Sequence, residues 1–341
     1  MSGNQAYRLQ NAALLNAVAV EAPEVITTAM LEERLAPALS RHGMPPGKIE
    51  QLAGVRERRW WPKDGDFVAG AIEAGRRVLD ETGVDPAEVG LVVNASVTRP
   101  HLEPAIAARV HHELDLSPGC LAFDITNACL AVVNGIQLAG TMIDAGQIEY
   151  GLIVASEGVR HGQEQTIERL LQEESKRSDM KEAFATLTLG CGAVAVLVGR
   201  ADAHPDGHRI VGGVSRSGSE HHELCIGTMD GMVTDNRKLF TEGLRLAVDT
   251  WRDAQSEFDW ESGIDWYVAH QTSTSHIDGL CKKLKLDKDR FPLTLPTFGN
   301  IGPASLPFTL AKYGDQFTKG QRVLLMGIGS GLNTSFTELA W

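Results

Sequence analysis

Cys129 lies in the run Asp124-Ile125-Thr126-Asn127-Ala128-Cys129-Leu130-Ala131. A strand-like stretch ends at Thr126 and a nearly all-apolar helical stretch begins about Cys129. The positive end of a helix favours a thiolate, so this is where a nucleophilic cysteine would be built. The competing reading is plain burial, because a free cysteine usually behaves as a small hydrophobe. His270 follows the strand-like Trp266-Tyr267-Val268-Ala269 and precedes a Ser/Thr-rich loop. A histidine at the carboxyl end of a strand suits an α/β site; a satisfied interior histidine is the alternative. Asn300 sits in Thr297-Phe298-Gly299-Asn300-Ile301-Gly302, where Asn beside Gly is also ordinary turn chemistry. Gly327-Ile328-Gly329-Ser330-Gly331-Leu332 lacks the spacing of a dinucleotide loop and is not followed by a further βα unit. A glycine-rich turn after a buried strand can still offer a backbone N–H to an oxyanion. His111-His112-Glu113 and His221-His222-Glu223-Leu224-Cys225 contain ligand types without metal-site spacing, so no metal is expected.

These residues need elements to hold them. Gly90–Asn94, Gly151–Ser156, Ala193–Val198 and Val323–Gly327 are short apolar runs of the kind buried on both faces of a sheet. Helical stretches lie between them: Asp66–Gly83 is amphipathic, Pro104–Leu114 opens on a proline, and Leu130–Ala145 is apolar nearly all round. The alternation indicates α/β layering. The segments Asn127–Gly158 and Gly299–Gly331 share a pattern at an offset of 171 residues, which maps Cys129 onto Asn300. Two halves follow, residues 1–200 with the nucleophile and 201–341 with the histidine and asparagine. The polar Ala201–Arg209 stretch marks the boundary. The charge-dense Glu157–Leu187 reads as an inserted lid or dimer arm.

Composition narrows the function. The 341 residues carry 32 Lys+Arg against 44 Asp+Glu, a net charge of −12, which argues against a general nucleic-acid binder or a polybasic membrane-surface protein. At 43% hydrophobic and 22% charged, the chain is globular. Five cysteines, at 120, 129, 191, 225 and 281, form no CxxC pair, which disfavours a disulfide framework or a structural zinc site. The amino-terminal stretch reads as a first strand near Ala13–Val20, not a signal peptide. No run of 18 apolar residues offers a membrane span. A cytoplasmic protein is the expectation.

Taken together and in order, four segments resemble the thiolase-superfamily condensing enzymes of the ketoacyl synthase III type. They are Gly54-Val55-Arg56-Glu57-Arg58, the Ala128-Cys129 turn, Trp266…His270-Gln271 and Gly299-Asn300…Ala304-Ser305. Within that superfamily the chain is most similar to OleA-type, head-to-head acyl-CoA condensing enzymes. These place a Glu 26 positions before the nucleophile, as Glu103 stands here, and end in Gly-Ile-Gly-Ser-Gly-Leu-Asn, as at Gly327–Asn333. The resemblance implies a duplicated five-layered αβαβα fold and coenzyme A thioesters as substrates, with no permanently bound cofactor. It implies Cys129 as acyl acceptor, with oxyanion donors from the backbone of Cys129 and Ser330. His270 and Asn300 would bind the second thioester oxygen. Glu103 is expected to be a base of raised pKa in an apolar cavity, reaching across a homodimer interface. The reaction implied is non-decarboxylative Claisen condensation to a β-ketoacyl-CoA or β-keto acid. The alternatives are a decarboxylative synthase using malonyl-ACP, one subunit of a heterodimeric enzyme, or a thioester hydrolase. Lys48 and Leu52 stand where ketoacyl synthase III enzymes usually carry Trp and Arg clamps for coenzyme A, so the resemblance names no residues for that role.

Overall fold

The computed structural model describes residues 6–341; the first five residues of the amino-terminal stretch lie outside them. The apolar runs become strands of one ten-stranded mixed sheet: β1 (Ala6–Arg8), β2 (Ala12–Glu21), β3 (Val89–Asn94), β4 (Leu121–Asp124), β5 (Tyr150–Glu157), β6 (Gly192–Arg200), β7 (His208–Ser217), β8 (Trp266–Ala269), β9 (Arg322–Gly329) and β10 (Asn333–Ala340). The order is β4-β3-β5-β6-β2-β7-β10-β9-β8, with β1 beside β7. A strand thus precedes the one expected to be first; at three residues β1 is too short to show a period. The sheet narrows in the middle, where β2 and β7 pair only through Ala13–Arg209 and Leu14–His208.

Strand alternation separates the layers, because successive side chains point to opposite faces. On β5, Leu152 and Val154 pack with helices α1 (Val68–Thr82) and α2 (Ile106–Glu113), while Ile153 and Ala155 pack with α3 (Ala131–Asp144). Helix α4 (Arg160–Leu171) belongs to a side cluster with Leu31, Leu35 and Leu39. On β9, Leu324 and Met326 face α5 (Asn236–Ala254) and α6 (Thr274–Leu284). Val323 and Leu325 join the cluster that holds α3 and α7 (Ser305–Tyr313). The two halves of the sheet thus stand on either side of α3 and α7, giving helix, half-sheet, helix, half-sheet, helix: the expected five layers. Helix α3 is covered on both sides, which explains its apolar composition. Gly135 lets it approach Ile153, since a Cβ there would lie 2.9 Å from that side chain. Among the described residues no helix is long and apolar enough to cross a membrane.

Candidate active site

The loop from β4 to α3 carries Cys129. Ala128 adopts a left-handed φ of 45°, uncommon for a residue with a side chain. Asn127 pins the loop, donating from Nδ2 to Asn134 Oδ1 (2.7 Å) and accepting from Asn333 Nδ2 (3.2 Å). The carboxyl end of β9 lies against this loop. A Cβ on Gly329 would sit 3.3 Å from the Cys129 nitrogen, so the glycine permits the close approach. The backbone N–H groups of Cys129 and Ser330 donate to no backbone carbonyl among the described residues.

His270 follows β8, and its backbone N–H donates to Met326 O (2.9 Å), continuing the parallel pairing with β9. Its side chain is 1% exposed, and neither ring nitrogen has a protein partner. Burial, with His276 as the second cause, pushes its pKa down to about 3. The imidazole is neutral at physiological pH, with one N–H donor and one acceptor available.

Asn300 is held by backbone on both sides: its N–H donates to Thr188 O (3.0 Å) and its carbonyl accepts from Gly190 (2.9 Å). Its Oδ1 accepts from Gly302 N (2.9 Å) and from Ser305 Oγ (3.3 Å). With the oxygen engaged, Nδ2 remains as a donor.

Cys129, His270, Asn300 and the Gly329-Ser330 turn line one cavity of about 200 Å³. Its apolar walls include Phe184, Leu189, Leu239 and Phe240, and Leu52 stands at its exposed side. Phe184 and Ala185 come from the segment expected to be a lid, where short helices Arg177–Glu182 and Phe184–Leu187 follow α4.

One sequence-based expectation needs correction. Cys129 is not a resting thiolate. The first helical residue is Ala131, so the thiol stands outside the helix's first turn. Burial, with smaller contributions from Cys225 and Glu157, pushes the thiol up to about 12. Desolvation outweighs the helix end here. Glu103 stands apart from these groups within one copy: residues 101–104 are exposed on a loop, and Glu103 does not line the cavity.

Sequence reasoning also missed three residues. Glu157 ends β5, is 1% exposed, and is the carboxylate that acts on the Cys129 thiol. It accepts from Val97 N (2.8 Å), Thr98 N (3.1 Å) and Thr98 Oγ1 (2.9 Å). Burial outweighs these donors and raises its pKa to about 7. A lone acidic residue closing a mostly apolar strand before Gly158 was the available signal. Cys225 and His276 also line the cavity; chain pattern alone does not place them there.

Comparison with known proteins finds relatives along nearly the whole chain. Residues 259–341 match the family model for the carboxyl-terminal part of 3-oxoacyl-[acyl-carrier-protein] synthase III. An acyl-CoA:acyl-CoA alkyltransferase of Xanthomonas campestris is 37% identical over 335 residues, covering 97% of this chain and 99% of that protein. One from Shewanella oneidensis is 35% identical, covering 96% and 98%. A β-ketoacyl-[acyl-carrier-protein] synthase III of Rhodospirillum rubrum is more distant, at 28% over 82% of this chain and 87% of its own. A cysteine-to-serine variant of X. campestris OleA, crystallised with bound lauric acid and lauroyl-CoA, superposes with a TM-score of 0.95 at 37% identity, covering 98% of this chain and all of that one. The layered fold, the thiol beside an imidazole and an amide, and the near full-length likeness have one reading: this chain belongs to the OleA family of thiolase-like acyl-CoA:acyl-CoA condensing enzymes.

Proposed function

We propose that this protein joins two acyl-CoA thioesters head to head by non-decarboxylative Claisen condensation. The observation that carries the reading is the shared cavity of Cys129, His270, Asn300 and the Gly329-Ser330 backbone. In the first half-reaction the Cys129 sulfur attacks the acyl carbonyl and coenzyme A leaves as its thiol, giving an S-acyl cysteine. Because thiol and imidazole both rest neutral, the thiol proton passes to His270 as the C–S bond forms and then to the departing sulfur. The N–H groups of Cys129 and Ser330 hold the oxyanion.

In the second half-reaction another acyl-CoA enters and loses its α-proton. The neutral His270 N–H and Asn300 Nδ2 donate to its enolate oxygen. The enolate carbon attacks the acyl-cysteine carbonyl, the carbon–sulfur bond breaks, and the Cys129 sulfur recovers a proton. A β-ketoacyl-CoA results, which hydrolysis converts to the β-keto acid.

The base for the α-proton is Glu103 of a second copy of this chain. Support comes from the free edge of β4, where Leu121 and Phe123 are 52% and 36% exposed, and from nearby Val97 and Leu102, 51% and 90% exposed. A bare apolar sheet edge of this kind is normally covered. A homodimer working in the cytoplasm completes the proposal.

The test is incubation of the purified chain with a single acyl-CoA and no malonyl donor, followed by peptide mass spectrometry and product analysis. An acyl adduct on Cys129 and a β-keto product, both lost in Cys129→Ala, are expected. A requirement for a malonyl thioester overturns the proposal.

A further inference from the structure

His276 stands in the cavity beside the proposed machinery yet has no part in the steps above. It is the third residue of α6, whose amino end is capped by Ser273, and it is 5% exposed. Its Nδ1 has no protein partner. Burial holds its pKa down to about 4, so the ring is neutral and offers one donor and one acceptor. The surroundings are apolar: the Phe240 ring meets it edge-on with centroids 6.2 Å apart, and Leu239 lines the same cavity. A leucine or phenylalanine would fill this place without leaving a buried nitrogen unpaired. Such groups in native proteins are nearly always paired, and an orphan calls for a partner.

Position indicates the partner. Phe240 and Leu52 are 38% and 44% exposed and mark the outer side of the cavity, which Cys129 and Asn300 also line. His276 packs on Phe240 and so stands at this outer side of the same cavity that Cys129 lines. The cavity is small, and anything bound with its thioester at Cys129 brings the next few atoms against His276. In a coenzyme A thioester those atoms are two methylenes and then an amide, with one N–H and one C=O.

Resting on the acyl-CoA reading, we infer that His276 recognises the amide nearest the sulfur of the pantetheine arm, pairing a ring nitrogen with that group. It thereby selects pantetheine thioesters over simple alkyl thioesters.

The test compares octanoyl N-acetylcysteamine, which retains that amide, with S-ethyl octanethioate, which lacks it. The readout is the second-order rate of Cys129 acylation, followed by quenched-flow mass spectrometry. His276→Leu is expected to slow acylation by the first thioester about tenfold, the loss of one hydrogen bond between neutral groups. Acylation by the second should stay within twofold, which also shows the variant is folded. His276→Gln, keeping a donor and an acceptor, should recover most of the rate. Equal losses with both thioesters, or no loss with either, overturn the inference while leaving the acyl-CoA reading intact. If wild-type Cys129 resists both thioesters and octanoyl-CoA as well, the inference falls together with that reading.

Discussion

The protonation state of Cys129 can be tested by alkylation. Only the thiolate reacts with iodoacetamide. A thiol held at about 12, against an ordinary value of 9.0, has a thiolate fraction about a thousandfold smaller at pH 7, on the order of 4 kcal/mol of disfavoured ionisation. The free enzyme should therefore label very slowly at Cys129 at neutral pH. The logarithm of the rate should climb by about one per pH unit from pH 7 to 10 without levelling, because the midpoint lies beyond that range. His270→Ala should leave that slope unchanged, since an imidazole held near 3 carries no charge with which to stabilise a thiolate. Tryptic mass spectrometry separates Cys129 from Cys225, its neighbour in the cavity, and Cys129→Ala provides the blank. The slope is the diagnostic, because restricted access to the cavity lowers the rate at every pH alike. A plateau below pH 8 that disappears in His270→Ala would refute the reasoning, for it would reveal a resting thiolate–imidazolium pair.

Further outcomes follow from the same geometry. Gly190→Ala places a methyl against the Phe298 carbonyl and strains the bond from Gly190 to Asn300; a loss of about 1–3 kcal/mol in thermal unfolding and at least tenfold slower coenzyme A release are expected. Glu157, at about 7 when folded and 4.5 otherwise, binds its proton more tightly in the folded state. Stability is then lost as pH rises from about 4.5 through 7, by on the order of 3 kcal/mol, and Glu157→Leu should flatten that part of a pH–stability curve from denaturant titrations. If Glu103 serves its neighbour, Glu103→Ala and Cys129→Ala homodimers should each be inactive, and a co-expressed equal mixture should regain about a quarter of wild-type condensation, since half the dimers are mixed and each of those has one working site. Phe123→Lys on the bare β4 edge should shift the chain toward monomer in sedimentation and abolish condensation together with it.

The sequence shows the inner machinery because it consists of local signals. Cys129 at a strand-to-helix junction, His270 after an apolar run and Asn300 between glycines each sit beside their own positioning element. The buried strands were legible for the same reason: Gly151–Ser156, six of the eight residues of β5, read as one buried run without reference to a partner. What failed depends on distance in sequence. The helix end near Cys129 was visible, but the desolvation that overrides it arises from packing against β9, some 200 residues later. Glu157 acquires its role only when β5 comes near the Cys129 thiol, and His276 only when α6 meets the cavity. Glu103 resembles a base in the motif, and nothing within one folded copy supplies the surroundings that role needs.

The backbone clamp on Asn300 carries a consequence for attempts to redesign substrate preference. Thr188 and Leu189 form part of the wall that an alkyl tail would touch, yet the same stretch, through Thr188 O and Gly190 N, grips the asparagine on either side. Widening the pocket there displaces the amide. Selectivity and turnover are mechanically geared at this point, and productive engineering has to begin outside the Thr188–Gly190 stretch.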